Sequence, residues 1–258
     1  MVRLLALLSA LAAFAGTTRV VAPGVGVWKA PFADFEPPER CETCRGPRGF
    51  AVIDGEGWFL LSDRLVGTTG RSLSLPSAGV DVAAGPAGLW VLCREHLARL
   101  EGEALALQPV RWTGTPLEVS GDGTVLSTEG IDGQPLPEGR TGPWGGEMRL
   151  AEEGGSWVAR WPGQPPRPIP GARIVDLRLV GLLADGAWVA ALTDSRDGSA
   201  PDAVRFVALR PGSVEELSSG EPNGDLVVRP RRTYAVDPGT ARVYTLVVEG
   251  EELSLRRY

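Results

Sequence analysis

Three cysteines and one histidine are the residues of this chain best suited to chemistry, and they fall into two close pairs. Cys41-Glu42-Thr43-Cys44 is a C-x-x-C, and Cys93-Arg94-Glu95-His96 is a C-x-x-H. Three sulfurs and one imidazole, delivered as two such pairs from distant parts of a chain, are what a tetrahedral Cys3His zinc site requires. Nothing in the sequence marks an open coordination position, so a zinc ion held by Cys41, Cys44, Cys93 and His96 would be structural. The same cysteines also allow a disulfide. A Cys44–Cys93 bridge closes a loop of about 50 residues, which contributes roughly 3–4 kcal/mol in the chain-entropy model. A Cys41–Cys44 bridge closes a small loop and adds little. Either bridge leaves one thiol over, which is awkward in an oxidising compartment. Structural zinc, a disulfide, and thiols engaged in neither are the alternatives the sequence leaves open, and no other cofactor is indicated.

Other familiar chemistries find no support. A c-type haem needs C-x-x-C-H, and Arg45 follows Cys44. A thioredoxin-like pair needs a βαβ setting, which the hydrophobic pattern does not provide. His96 is the single histidine, and there is no G-x-S-x-G elbow to supply its serine partner. H-E-x-x-H and P-loop motifs are absent, and Gly24-Val25-Gly26 stops short of a dinucleotide fingerprint. The segment Asp194-Ser195-Arg196-Asp197-Gly198, with Asp202 beyond it, loosely suggests a calcium loop. Arg196 stands where an acidic or amide ligand belongs, so the segment reads as a hairpin turn. A glycosidase-like pair of carboxylates about 5–9 Å apart is open to a chain this rich in Asp and Glu, but no pair stands out.

Composition and the N-terminus set the compartment. A net charge of −6 disfavours nucleic acid as a partner. The basic clusters Arg229, Arg231, Arg232 and Arg256, Arg257 read as solvated strand ends. Lys29 is the single lysine and Asn223 the single asparagine, a bias that points to a GC-rich bacterial coding sequence. Arg3 precedes an apolar run over 4–15, too short to span a bilayer, which takes about 20 residues. Ala13-Phe14-Ala15 supplies a small-x-small cleavage pattern. The expectation is a signal peptide over 1–15, with a short uncleaved anchor as the alternative. No cysteine follows the run, so no lipid anchor is expected. No later stretch reaches membrane length, and the mature chain should be periplasmic or secreted.

The elements that position the candidate residues emerge from an internal repeat. Gly57-Trp58, Gly88-Leu89-Trp90, Gly155-Ser156-Trp157 and Gly186-Ala187-Trp188 each open a short apolar run. Their tryptophans are separated by 32, 67 and 31 residues, and the weaker unit Gly123-Thr124-Val125-Leu126 fills the double step. A sixth unit begins at Gly239. Each unit parses as an antiparallel meander. The first predicts strands over 50–53, 58–61, 64–67 and 72–75, and the second over 80–83, 89–92, 97–100 and 104–107. Asp-Gly and Asn-Gly pairs at 54–55, 122–123, 132–133, 185–186, 197–198 and 223–224 accept the positive φ of tight turns. The second strand of a unit is nearly all apolar, as a strand buried on both faces must be. The fourth alternates, as in Ser72-Leu73-Ser74-Leu75, which suits a half-exposed position.

These units resemble β-propeller blades of a loosely defined bacterial type, in which a glycine turn leads into an apolar strand carrying tryptophan. The resemblance covers roughly 48–258 and implies an all-β ring of five to seven blades, six favoured, with a tandem β-sandwich as the alternative. The pattern decays between Ile131 and Met148. The last unit lacks one strand, and the stretch 19–28 is expected to complete it, since an open sheet edge is a liability. Residues 16–47 then form an extension carrying this closing strand and the C-x-x-C. Lactonase-type propellers hold a divalent cation partly through asparagine, and a lone Asn223 speaks against that. Trp112, Trp144 and Trp161 lie off the repeat ladder and are candidates for a binding surface. The expected function is a non-catalytic binding or scaffold module of the bacterial envelope, its partner another envelope protein or a glycan. The alternative is a propeller hydrolase or lyase acting on a carbohydrate or lactone. Inward carboxylates or a metal in the central channel would mark the enzyme, and a plugged channel with an apolar patch would mark the binder.

Overall fold

The computed structural model describes residues 28–31, 46–132, 148–171, 174–194, 203–221 and 233–258. Its strands form six antiparallel sheets, each a meander, and the described residues contain no helix. The first sheet, blade 1, is β2 (Gly49–Ile53), β3 (Glu56–Leu60), β4 (Arg64–Gly67) and β5 (Ser72–Ser74). Blade 2 is β6 (Gly79–Gly85), β7 (Gly88–Cys93), β8 (Leu97–Glu101) and β9 (Ala104–Gln108). Three described strands make blade 3: β10 (Pro116–Val119), β11 (Val125–Ser127) and β12 (Gly130–Ile131). Blade 4 likewise has β13 (Arg149–Glu153), β14 (Ser156–Arg160) and β15 (Arg167–Pro168). Blade 5 is β16 (Ile174–Leu182), β17 (Trp188–Asp194), β18 (Ala203–Arg210) and β19 (Ser213–Gly220). Blade 6 is β20 (Tyr234–Asp237), β21 (Arg242–Glu249), β22 (Glu252–Arg257) and β1 (Trp28–Pro31).

The chain is a six-bladed β-propeller, and an N-terminal strand closes its ring as expected, but that strand is β1 at Trp28–Pro31, which shares only Trp28 with the expected stretch 19–28, whose residues 19–27 lie outside the described residues. Strand β1 pairs antiparallel with β22, placing Trp28 opposite Leu255 and Ala30 opposite Leu253. The N-terminal strand thereby supplies the outer edge of the last blade. Burial follows the gradient read from the sequence. In β3 every residue from Gly57 to Leu60 is buried, and in β7 every residue from Leu89 to Cys93. The outer strand β5 exposes both serines and half-buries Leu73. The stretch 97–107, whose spacing also admitted a helix, is a β-hairpin with Leu97 opposite Gln108 and Leu100 opposite Leu105.

Between blades the sheets pack through apolar seams. Trp58, Leu60, Leu65, Val82, Ala84, Leu89, Val91 and Cys93 fill the seam between blades 1 and 2. Trp90, Leu92 and Leu97 meet Trp112, Val119 and Val125 between blades 2 and 3. At that second seam two glycines let backbones touch: a Cβ on Gly85 would lie 2.0 Å from the carbonyl oxygen of Gly121. Buried carboxylates add polar clamps. Asp81 accepts the Val119 amide at 3.0 Å, tying blade 2 to blade 3. Asp237 accepts the amides of Asp54 and Gly55, tying blade 6 to blade 1. The Asp54-Gly55 turn has positive φ at both residues, 52° and 78°, the type I′ geometry that suits the twist of a two-residue hairpin. At the axis, Cα atoms of β6 come within 8 Å of β16 and of β20, so the first strands of blades 2, 5 and 6 meet across the ring.

Candidate functional site

The first strands narrow the axis, and among the described residues a concave feature lies at the side of the ring, between blades 2 and 3. It is a cleft of about 120 Å³. Trp90 and Leu97 form its blade 2 wall, and Asp122, Gly123, Thr124, Val125 and Asp132 its blade 3 wall. The connection from β9 to β10 completes it with Gln108, Pro109, Arg111 and Trp112. Each wall is shaped by its own strand or turn, and the packing of the two blades brings the walls together. Trp90 sits on the buried second strand of its blade and stays 9% exposed. Gly123, at φ 85°, allows the β10–β11 turn to lie on the indole, because a Cβ there would meet Trp90 Cζ2 at 2.7 Å. Trp112, off the repeat ladder, packs into the same seam and is 8% exposed.

The polar groups are set by the turns. Asp122 Oδ1 accepts the Thr124 amide at 3.0 Å and the Ser120 hydroxyl. Asp132 Oδ1 accepts the Val125 amide at 2.9 Å. Each carboxylate thus uses one oxygen to fix its turn. The second oxygen of each has no hydrogen bond among the described residues. Trp90 Nε1 is buried without an acceptor from the described chain, which costs about 1–3 kcal/mol for a buried donor. Two carboxylates and one guanidinium give the cleft a formal charge of −1. The arrangement offers an apolar aromatic floor with acidic rims, suited to a group with an apolar stem and a cationic head.

Cys93 and His96 flank the β7–β8 turn, where the Cys93 amide donates to the His96 carbonyl at 2.8 Å. Cys93 is fully buried in the seam between blades 1 and 2 and makes no disulfide with a described residue. Burial pushes its thiol up from 9.0 to about 11, against a weaker downward pull from a backbone hydrogen bond of Ser77. His96 is half-buried, with Nδ1 3.2 Å from the Ser77 hydroxyl, which also accepts the Glu95 amide. Cys41 and Cys44, the other members of the predicted set, lie outside the described residues. Among the described residues no three His, Cys, Asp or Glu side chains cluster as metal ligands do.

No protein-family model matches the chain, and no curated protein matches it. Over 100% of its length it is similar to 99% of a chain in the crystal structure of a mitotic checkpoint complex, at 9% identity and a TM-score of 0.40. It is similar to TolB from Acinetobacter baumannii at 13% identity and a TM-score of 0.28, covering 75% of this chain and 44% of that one. A third similarity is to the extracellular domain of BT4673 from B. thetaiotaomicron, at 11% identity and a TM-score of 0.31, covering 86% of this chain and 34% of that one. The chain therefore spans under half of the TolB chain and about a third of the BT4673 chain.

Of the three off-ladder tryptophans, Trp112 lines the cleft, and Trp161 is half-buried against the seam of blades 4 and 5. Trp144, the segment 195–202 and Arg229, Arg231 and Arg232 lie outside the described residues. Arg256 and Arg257 are half-buried in β22. The setting of Cys93 gives a direct expectation. Below pH 9 the folded chain carries about a hundredfold less thiolate at this site than an unperturbed thiol. Iodoacetamide should label Cys93 at least that much more slowly in the folded chain than in urea, with the folded rate still rising up to pH 11. Peptide mass spectrometry reads both rates. A Cys44–Cys93 bridge would instead show no labelling in urea until a reductant is added.

Proposed function

We propose that this chain is an exported, non-catalytic binding module of the bacterial envelope that docks another envelope protein through the cleft between blades 2 and 3. The carrying observation is the cleft itself, whose lining brings together Trp90, Trp112, Asp122 and Asp132, with one oxygen of each carboxylate unbonded among the described residues. At about 120 Å³ it is smaller than the roughly 300–1,000 Å³ of a small-molecule pocket. It is sized for one anchor side chain of a protein partner, a lysine or arginine whose stem lies on the indoles and whose head meets the carboxylates. Val110, 50% exposed on the connection that forms the cleft mouth, adds an apolar contact at the rim. The signal-like N-terminus supports the compartment.

A photo-crosslinking residue at Val110, in the chain expressed in its own host, tests this reading. The expected result is one discrete protein adduct. It should disappear when Thr124→Trp fills the cleft, fall several-fold in Asp122→Asn/Asp132→Asn, and be absent with the crosslinker at exposed Ser213. Equal adducts at both positions, none at Val110, or a polysaccharide adduct would overturn it.

A further inference from the structure

Among the described residues the six sheets end in six outer strands, and five of these are protected against pairing with another chain. Strands β5, β12 and β15 have three, two and two residues. Strand β1 carries Lys29 and ends in Pro31. Strand β19 is long, yet it carries Glu215 and Glu216 and pairs through a register shift. Short edges, charges, prolines and bulges are the usual means of blocking edge-to-edge association. Strand β9 has none of them. Its five residues, Ala104-Leu105-Ala106-Leu107-Gln108, are uncharged, and among the described residues it has a neighbouring strand on one side alone. Leu107 is 55% exposed, the most open large hydrophobic among the described residues.

We infer that β9 is the contact of a symmetric homodimer, in which β9 of one copy runs antiparallel to β9 of a second. The strand is complementary to itself. A two-fold axis at Ala106 sets Ala106 against its own copy and Leu105 against Leu107 of the other chain, twice over. Side chains directly opposite in a sheet share a face, so each exposed Leu107 is covered by the partner's Leu105. The ends match in charge. Turn 101–103 brings exposed Glu103, and connection 109–111 brings exposed Arg111, and neither forms an ion pair among the described residues. Antiparallel pairing sets the acidic end of each strand beside the basic end of the other. The contact is isologous and closes at two copies, so it blocks the edge instead of propagating a fibre. Leu107 pairs with Ala98, on the face of blade 2 turned toward blade 1, whereas Gln108 lines the cleft. The dimer contact therefore borders the proposed docking cleft and shares Gln108 and Arg111 with it, while Leu105 and Leu107 lie outside the cleft lining, so Leu107→Lys tests the dimer alone.

Sedimentation equilibrium of the purified full chain tests the inference. One strand pair is at the small end of specific interfaces, so a monomer–dimer equilibrium with Kd in the range of about 1–100 μM is expected. Leu107→Lys should raise Kd at least tenfold while leaving the thermal midpoint unchanged, since the side chain is already half in water. Glu103→Arg and Arg111→Glu should each weaken the dimer, and the double variant should restore it. That rescue is peculiar to pairing between copies. A monomer at every concentration, a dimer indifferent to Leu107→Lys, charge reversals without rescue, or another protein held on β9 in place of the second copy would each overturn the inference.

Discussion

Asp237→Ala should destabilise the folded chain by about 2–4 kcal/mol, the loss expected when a buried, charge-assisted hydrogen-bond hub is removed. Asp237 is fully buried, and both its oxygens are engaged. Oδ1 accepts the amides of Asp54 at 3.2 Å and Gly239 at 3.1 Å. Oδ2 accepts the amide of Gly55 and the hydroxyl of Thr240, both at 2.9 Å. Two of these bonds close the β20–β21 turn, and two reach across the seam where the ring shuts. Because Asp54 and Gly55 are exposed, water can satisfy their amides after the substitution, which holds the loss below that of a fully buried ion pair. Asp237→Asn keeps one accepting oxygen and should lose roughly half as much. Urea denaturation measures the size of the effect. Hydrogen exchange localises it: the amides of Asp54 and Gly55 should lose protection well before those of β7. Asp237→Ala within about 0.5 kcal/mol of the parent chain, the range of an ordinary surface change, would show that the clamp is dispensable.

The contrast between this clamp and the blades explains what the sequence could show. Blades are built from neighbours in the chain, so their signals are local. A glycine turn, a tryptophan and an apolar run at a repeating interval suffice to place β3, β7, β14 and β17. The need for an N-terminal closing strand was legible for a related reason, since the last unit was one strand short, but its place was not: the stretch 19–28 was expected, and β1 runs from Trp28 to Pro31. The clamps and the cleft are contacts between blades, and they leave no local trace. Asp122 and Asp132 read as ordinary turn residues, and as turn residues they do behave. Only the placement of their turns against Trp90 makes them walls of a cleft. Trp90 itself reads as packing because it occupies the repeat position of every other blade. Trp112 was the one usable hint, an aromatic residue that the repeat did not require. For the cysteines the sequence offered a pattern of four, and the fold has supplied the setting of Cys93 and His96.

Trp28→Ala should cost more than any other single truncation in β1, about 3–5 kcal/mol for a buried tryptophan. Trp28 is 5% exposed and stacks on Phe59 of blade 1, with ring centroids 4.8 Å apart and planes at 27°. It therefore belongs to blade 6 by hydrogen bonding and to blade 1 by packing. Phe50, Val52, Leu246, Leu253 and Leu255 surround the same seam. Removing the indole leaves a cavity at the point where a short strand of four residues must hold the ring shut. Backbone pairing with β22 alone is a weak hold, because four residues have to be ordered for few hydrogen bonds. Lys29→Ala is the matched control. Its ion pair with Glu252 spans 3.4 Å between side chains 40% and 55% exposed, and such a pair contributes about 0–1 kcal/mol. Trp28→Phe keeps an aromatic face for Phe59 and should recover most of the loss. In hydrogen exchange, Trp28→Ala should expose β22 ahead of β21, since β22 becomes the blade's edge when β1 leaves. Equal denaturation midpoints for Trp28→Ala and Lys29→Ala would mean that the ring is held shut by the seams between its other blades, with β1 an ornament on the last.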